Sequence, residues 1–212
     1  MKTTKKAMLL TVCALVLVAA TMMGTMAYLT VGDRTVTNTF VAGQLIEDKE
    51  AFKLEEHVAA RTDGGKYSLT DEVTQANTYT VVPGVNLPKD PYVKVEVLED
   101  SYLFLEVING LPEEMTFDID SLWTALTDSH GDPVTKNSHP IYYRTAGTVK
   151  PSDGVITVNI LASQQVKVDS SLDVSELAGD ASKTLVFNAY LGQANSDAYT
   201  DALGAWNALF AA

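Results

Sequence analysis

Three histidines, His57, His130 and His139, are the residues of this 212-residue chain best suited to metal or acid–base chemistry. A zinc peptidase needs two histidines four residues apart on a helix, with a glutamate between them as the general base. The three histidines do not have that spacing, and Glu55 and Glu56 supply ligand types beside His57 without it. The sequence therefore predicts three surface histidines, with neither a catalytic residue nor a metal site among them.

The acidic residues and the potential nucleophiles give no stronger candidate. Asp128–Asp132 resembles part of a calcium loop but lacks the regular acidic positions and the terminal glutamate, which predicts a plain turn. Asp118 and Asp120 have no companion acid for acid–base catalysis, and Asp120 is better suited to cap a helix. No serine lies in a GxSxG elbow, and the only cysteine is Cys13. We therefore expect no enzyme activity and no cofactor.

The distribution of charge argues against a nucleic-acid-binding protein. The whole chain has 15 Lys+Arg against 27 Asp+Glu, a net charge of −12. Residues 1–27 contain three lysines and no acid, so the other residues have 12 basic and 27 acidic side chains. Binding to a phosphate backbone requires clustered Lys and Arg, which this acidic region does not provide.

The first 27 residues have the pattern of a secretory signal peptide. Three lysines precede an apolar stretch, Ala7–Ala20, and small residues follow, with Thr25 and Ala27 at the −3 and −1 positions of a cleavage site. We therefore expect a secreted protein, extracellular or associated with the cell surface, that contacts the membrane only through its uncleaved signal peptide. The alternative is a retained anchor, because the uncharged stretch Ala7–Gly32 is long enough to span a bilayer.

The remaining residues, 28–212, have the pattern of one β-sandwich domain. Apolar and polar residues alternate in Val93–Val97, the period of a half-buried strand. Leu103–Ile108 is largely apolar on both faces, which predicts a central strand, and Asp100-Ser101 suits a hairpin turn between these two strands. Further strands are predicted at Val36–Ile46, Thr78–Val82, Ile141–Arg144, Val155–Leu161, Val166–Val168 and Thr184–Leu191.

Helical signals are few. Asp120–Thr127 is predicted to form about two turns, and Val174–Ala178 a single turn. Ser196–Phe210 is predicted to be an amphipathic helix with Ser196 as its N-cap. Trp123 and Trp206, which lie among apolar residues, are predicted to anchor the core. Many strands, few helices and no βαβ rhythm predict an all-β, jelly-roll-like sandwich with a C-terminal helix.

Several blocks of the sequence match the pattern of one known family. The most specific block is the join between the leader and the mature chain, Ala27–Gly43, and further blocks lie at Lys5-Lys6, Gly24–Thr30, Val82–Gly84, Lys89–Val95, Phe187–Gln193 and Ala205–Asn207. With these blocks the chain resembles the TasA/camelysin family, whose leaders are cut by the dedicated signal peptidase SipW.

The resemblance implies an extracellular jelly-roll protein of a Gram-positive bacterium, whose better-known relatives build the fibres of a biofilm matrix. In such fibres the N-terminal strand freed by cleavage pairs with the sheet of the next subunit, which gives open, head-to-tail filaments. The expected partners are other copies of the chain or related matrix subunits. The donor would be Tyr28–Phe40, with the apolar residues Leu29, Val31, Val36 and Phe40. Alternatively, this segment forms the first strand of its own sheet.

The sequence leaves three functions open. The first is a secreted extracellular matrix protein, a biofilm fibre subunit or accessory subunit that assembles through its N-terminal strand. The second is a monomeric, adhesin-like surface module that binds through the loops Ala60–Asn77 and Asp128–Pro140. The third is a secreted metalloprotease, because camelysin relatives carry that label, although the zinc-binding motif is missing.

Overall fold

Twelve strands and one α-helix make up the part of the chain that this structure, a computed structural model, describes: residues 45–62, 66–177, 183–194 and 199–210. The strands are β1 (Phe52–Arg61), β2 (Tyr67–Thr74), β3 (Leu87–Pro88), β4 (Tyr92–Val95), β5 (Ser101–Asn109), β6 (Met115–Thr116), β7 (Trp123–Ala125), β8 (Thr135–Lys136), β9 (His139–Arg144), β10 (Ile156–Asn159), β11 (Gln165–Val168) and β12 (Leu185–Gln193). The helix is α1 (Ala202–Phe210). Short 3₁₀ turns occur at Lys49–Ala51, Pro151–Asp153 and Val174–Leu177. The predicted all-β class with a C-terminal helix is confirmed.

The strands form three antiparallel sheets. Their orders are β10-β4-β1-β2, β3-β11-β6 and β12-β5-β9-β7, and β8 pairs with β9 beside the last sheet. β5 lies between β12 and β9, so the prediction of a central strand at Leu103–Ile108 is confirmed. A central strand has both backbone edges paired, and a mostly apolar sequence then allows both of its faces to be buried.

The main core lies between the four-stranded and five-stranded sheets. Val93 and Val95 of β4 pack in one apolar cluster with Leu103 and Leu105 of β5, and all four side chains are fully buried. Trp123 of β7 joins this cluster, and its Nε1 donates a hydrogen bond of 2.7 Å to the Asn159 carbonyl of β10. The two sheets thus form a sandwich with one continuous core, and Trp123 anchors it as predicted.

Helix α1 covers the outer face of the five-stranded sheet. Trp206 of α1 packs edge-on against Phe104 of β5 and Tyr190 of β12, with ring centroids 5.2 and 5.6 Å apart. The strand approaches the helix closely at Gly192, where an added Cβ would lie 3.1 Å from the Phe104 ring and 3.3 Å from Leu209. β5 and β12 are therefore buried on both faces.

The predicted helix at Asp120–Thr127 is wrong, because this segment contains the strand β7. Asp120 does accept backbone hydrogen bonds, but in a turn: its side chain accepts from the Leu122 N–H at 2.9 Å and its carbonyl from the Trp123 N–H at 3.0 Å. The strand that follows the turn then pairs with β9. Burial of Trp123 against the opposite sheet thus overrides the short helical pattern.

The start of the C-terminal helix also differs from the prediction. The helix begins at Ala202, and Tyr199 to Asp201 precede it without helical structure. Asp201 caps it, since its side chain accepts a hydrogen bond of 2.7 Å from the Gly204 N–H. Ser196, the predicted N-cap, lies outside the described residues.

The predicted hairpin at Asp100-Ser101 is wrong, because β4 and β5 belong to different sheets. The Ser101 backbone instead exchanges hydrogen bonds of 2.9 and 2.8 Å with Val149. The segment therefore leads from one sheet of the sandwich to the other.

Strands β1 and β2 are not among the strands that the sequence predicts. They pair as a hairpin through Arg61–Tyr67 and Ala60–Ser68, and residues 63–65 lie outside the described residues. Most of Ala60–Asn77 is therefore strand and not a free binding loop. The strand expected at Thr78–Val82 is not formed.

Candidate functional site

A groove of about 1070 Å³ runs between the start of β12 and the junction of β1 with β2. The residues that line its floor are apolar side chains from three short strands, Leu87 of β3, Met115 of β6 and Val166 of β11. Its walls are formed by Leu54–Glu56 of β1 and Leu185–Phe187 of β12. Both backbone and side chains are therefore available to an occupant of the groove.

The backbone of β12 offers hydrogen-bonding groups to the groove. The Gly110 N–H donates to the Thr184 carbonyl at 2.8 Å, and Leu185 is the partner of Asn109 in the same ladder. Residues of an antiparallel strand point their N–H and C=O groups alternately to one neighbour and the other. Leu185 and Phe187 therefore direct their backbone groups away from β5, and among the described strands β12 has no other partner.

The first half of β1 is a second open edge at the same groove. Phe52–Glu55 pairs with β4 on one side. On the other side, β2 begins to pair only at Glu56, so within the described residues the Phe52–Glu55 edge has no strand beside it. Leu54 and Glu55 of this segment line the groove. The groove is thus flanked by two strand edges that belong to different sheets.

A buried ion pair forms part of the groove wall. The Lys89 Nζ lies 2.7 Å from Glu56 Oε2, and the two side chains are 13% and 5% exposed. The other carboxylate oxygen, Glu56 Oε1, is buried and has no hydrogen-bond partner in the described part of the chain. Such an orphaned acceptor is costly unless a donor reaches it, and an occupant of the groove could supply one.

His57 and Asp90 form a second pair beside Glu56 and Lys89. The His57 Nδ1 lies 2.5 Å from Asp90 Oδ2, and the His57 N–H donates to Asp90 Oδ1 at 3.0 Å. Asn77 also binds β1, because it accepts from the Ala59 N–H at 2.8 Å and donates to the His57 carbonyl at 2.9 Å. His57 is 36% exposed, as a surface histidine should be, but it holds Asp90 and β1 together.

The hydroxyl of Tyr79 ties the groove wall to β3, because it donates to the Pro88 carbonyl at 2.5 Å. Burial, followed by the nearby carboxylates of Glu56 and Asp90, raises the pKa of Tyr79 well above its ordinary value. Burial and a hydrogen bond to Glu106 raise the pKa of Tyr190 in the same way. Both phenols therefore stay neutral in the folded protein at alkaline pH.

We expect the protein to lose stability above about pH 10, where tyrosines of the unfolded chain ionise. A pKa that is raised by folding gives stability that is fully present below the unfolded value and is lost as the pH rises. Tyr79→Phe should make this alkaline loss smaller, while it costs about 0.5–1.5 kcal/mol at neutral pH through the lost hydrogen bond. Urea denaturation from pH 7 to 11 measures both effects, and an unchanged alkaline slope would contradict the assignment.

The other candidate ligand and catalytic residues do not lie together in one site. His130 is 82% exposed, and Asp118 forms an exposed ion pair with Lys167 at 2.8 Å. Asp128 closes a turn, because its side chain accepts from the backbone N–H groups of His130 and Asp132, which lowers its pKa. The prediction of a plain turn there is confirmed. Among the described residues, no three His, Cys, Asp or Glu side chains are arranged to bind a metal.

Sequence reasoning missed Glu56 and Lys89 as site residues. They lie 33 positions apart, and the resemblance noted Lys89 only as part of the Lys89–Val95 block. The remaining predicted site residues lie outside the described residues. They are the cleavage-site residues Thr25 and Ala27 and the donor residues Leu29, Val31, Val36 and Phe40.

Comparison with known proteins gives no relative: no protein-family description, no curated protein and no solved structure matches the chain. In the described ranges, no helix has both the length and the apolar character needed to cross a membrane.

Proposed function

We propose that this chain is a secreted extracellular matrix protein of the TasA/camelysin type, a fibre subunit or accessory subunit that assembles by donor-strand pairing. The observation that carries the proposal is the groove between β12 and the first half of β1, whose facing edges have no strand partner in the part of the chain that the structure describes. In this proposal the N-terminal segment of one molecule, freed by a SipW-type signal peptidase, lies in the groove of the next. The inserted strand would complete a jelly-roll-like sandwich.

The groove suits a strand better than a small ligand. The edge at Leu185 and Phe187 presents backbone donors and acceptors in the repeat of a β-ladder, and each ladder hydrogen bond contributes about 1 kcal/mol net. The apolar floor could accept Val36 and Phe40, which share one face of a strand and contribute about 1.5–3 kcal/mol each when fully buried. An extended segment can therefore use both the backbone and the side chains of the groove.

A basic residue of this donor could supply a hydrogen bond to the groove wall. Tyr28–Phe40 contains Arg34 beside Asp33, and Glu56 Oε1 in the groove has no hydrogen-bond partner among the described residues. A head-to-tail contact of this kind does not close on itself, so repeated insertion produces a filament.

The donor side of the proposal is tested by deleting Tyr28–Thr35. We expect wild-type protein to form fibres and the deletion variant to remain a folded monomer, because the first half of the donor, with Leu29 and Val31, is lost and the sandwich is kept. Phe40→Asp should also abolish fibres, whereas Val155→Asp, at a residue 54% exposed on the surface, should not. Sedimentation, electron microscopy and circular dichroism report assembly and folding.

The acceptor side is tested at the edge of β12. Leu185→Pro removes an N–H group that points into the groove, and a proline is tolerated at such an edge position. We expect this variant to fold but to assemble poorly. Val186→Pro instead removes an N–H group of the β12–β5 ladder and should destabilise the fold.

Two outcomes would reject the proposal. If the deletion variant still polymerises normally, the N-terminal segment is not the donor. If the wild-type protein stays monomeric at high concentration and in the presence of seeds, the chain is a monomeric surface module.

A further inference from the structure

A second polar cluster lies under α1, on the outer face of the five-stranded sheet. Glu106 of β5 is only 2% exposed, and its Oε2 accepts hydrogen bonds from the Tyr190 hydroxyl at 2.5 Å and from Asn188 Nδ2 at 3.0 Å. The Lys136 Nζ of β8 lies 2.7 Å from the Tyr190 hydroxyl and 3.6 Å from the same Oε2. A lysine amine and a primary amide therefore share one buried carboxylate.

Aromatic rings enclose this cluster. The Lys136 Nζ lies 4.5 Å from the centroid of the Tyr190 ring and 4.8 Å from that of Phe210. Trp206 packs against both of these rings, with centroids 5.6 and 4.7 Å away. The fold therefore holds the Lys136 amine, the Glu106 carboxylate and the Asn188 amide together beside α1.

We propose that Lys136 and Asn188 join in an intramolecular isopeptide bond, with Glu106 as the acid–base group. Glu106 takes a proton from the Lys136 ammonium, and the neutral Nζ attacks Asn188 Cγ. Glu106 delivers this proton to Nδ2, to which its Oε2 is already hydrogen-bonded, and ammonia leaves as the C–Nδ2 bond breaks. Glu106 then takes the second proton from the new amide nitrogen.

The proton and charge balance favours this reaction in a buried site. The reactants are an ammonium, a carboxylate and a primary amide, and the products are a secondary amide, ammonia and a neutral Glu106. The charged Glu106, whose side chain is 2% exposed, is replaced by a neutral acid, which removes the cost of keeping its charge away from water. No oxidant, cofactor or external catalyst is needed.

Two further observations support Asn188 as the electrophile. Its Oδ1 is buried and has no hydrogen-bond partner in the described residues, a rare state that calls for an explanation. Its Nδ2 already contacts the group that must protonate it. The Lys136 Nζ and Asn188 Nδ2 lie 3.6 and 3.0 Å from the same Glu106 Oε2, so the fold holds both reacting side chains at one carboxylate oxygen.

The bond would give this chain a covalent link that cysteines do not provide. The only cysteine is Cys13, in the leader, so the residues after it cannot form a disulfide. The isopeptide would connect β8, beside β9, to β12 at the opposite edge of the sheet. It would thus resist forces that pull β12 away from β5.

The test is the intact mass of the purified, folded protein. We expect the measured mass to be lower, by the mass of one ammonia molecule, than the mass calculated from the amino-acid sequence of the purified protein. Trypsin should release residues 95–144 and 184–212 as one linked species, since lysine in an amide is not cleaved, and fragmentation should place the link between Lys136 and Asn188.

Matched variants distinguish formation of the isopeptide bond from other reactions that release ammonia. Lys136→Arg keeps the charge but cannot form the amide, and Glu106→Gln keeps the shape but cannot relay protons, so both should have the full sequence mass. Lys167→Arg, at an exposed lysine, should still lose ammonia. Circular dichroism confirms that each variant is folded.

Three results would overturn the proposal. Folded wild-type protein with its full sequence mass would exclude the bond. Loss of ammonia that persists in Lys136→Arg would indicate cyclisation of an asparagine instead. A Glu106→Gln variant that still contains the isopeptide bond would refute the role of Glu106 as the acid–base group.

Discussion

Replacing Trp206 by alanine should lower the free energy of unfolding by about 3–5 kcal/mol, the usual cost of removing a large aromatic side chain from a core. The indole is 4% exposed and packs against three other rings, those of Phe104, Tyr190 and Phe210. Its loss would leave a cavity between α1 and the sheet that the short helix cannot close. Urea denaturation followed by circular dichroism would measure the change.

Phe210→Ala is the matched control on the same helix. The Phe210 ring is 39% exposed, so less apolar surface returns to water when it is removed. We expect a loss of about 1–2 kcal/mol, within the ordinary range for point substitutions. If Trp206→Ala costs no more than Phe210→Ala, then α1 does not contribute to the stability of the sheet beneath it.

The sequence predicts β5, β12 and α1 well because their patterns and burial agree. β5 and β12 pack on the sandwich core with one face and on α1 with the other, so their sequences are apolar almost throughout. Trp206 and Leu209 lie three positions apart on the buried side of α1, which is the spacing of a helix face. Local sequence alone is enough for such elements.

The sequence does not predict β1, because this strand has no apolar alternation. Lys53, Glu55, Glu56 and His57 lie within it, and the last two form ion pairs with the distant residues Lys89 and Asp90. Backbone pairing with β2 and β4 stabilises this strand. Charge pairs and strand neighbours supplied by remote parts of the chain are not visible in a local pattern.

The sequence predicts a helix at the position of β7 for a related reason. The run Leu122–Leu126 is short and apolar, and such a run does not distinguish a strand from a buried helix segment. Pairing with β9 and the hydrogen bond from the Trp123 indole to Asn159 decide in favour of the strand. Both contacts depend on the tertiary fold.

The two polar clusters are also products of long-range contacts. Glu56 contacts Lys89, which lies 33 positions later in the sequence, and Tyr190 contacts Glu106, which lies 84 positions earlier. No spacing rule connects such residues, whereas the pairing of β12 with β5 places Asn188 directly opposite Glu106. The groove and the cluster of Glu106, Lys136 and Asn188 could therefore be recognised only after the strand register was known.

Lys89→Ala should be the most damaging single change at the groove, with a loss of about 3–5 kcal/mol in the free energy of unfolding. It would leave the Glu56 carboxylate buried without a counter-charge, while Oε1 already has no partner in the described residues. Urea denaturation of the wild-type protein and of Lys89→Ala at pH 7 measures this loss.

Two controls distinguish a buried ion pair from a general effect of losing a lysine. Lys167→Ala breaks an exposed pair with Asp118, whose side chains are 50% and 63% exposed, and should cost only about 0–1 kcal/mol. The double variant Glu56→Leu with Lys89→Met should recover most of the lost stability, because an apolar pair replaces the two charges without leaving one unpaired. If Lys89→Ala and Lys167→Ala cost the same, the wall of the groove does not depend on this ion pair. A stable double variant that no longer assembles would show that the groove uses the charge of Glu56 to bind the incoming strand.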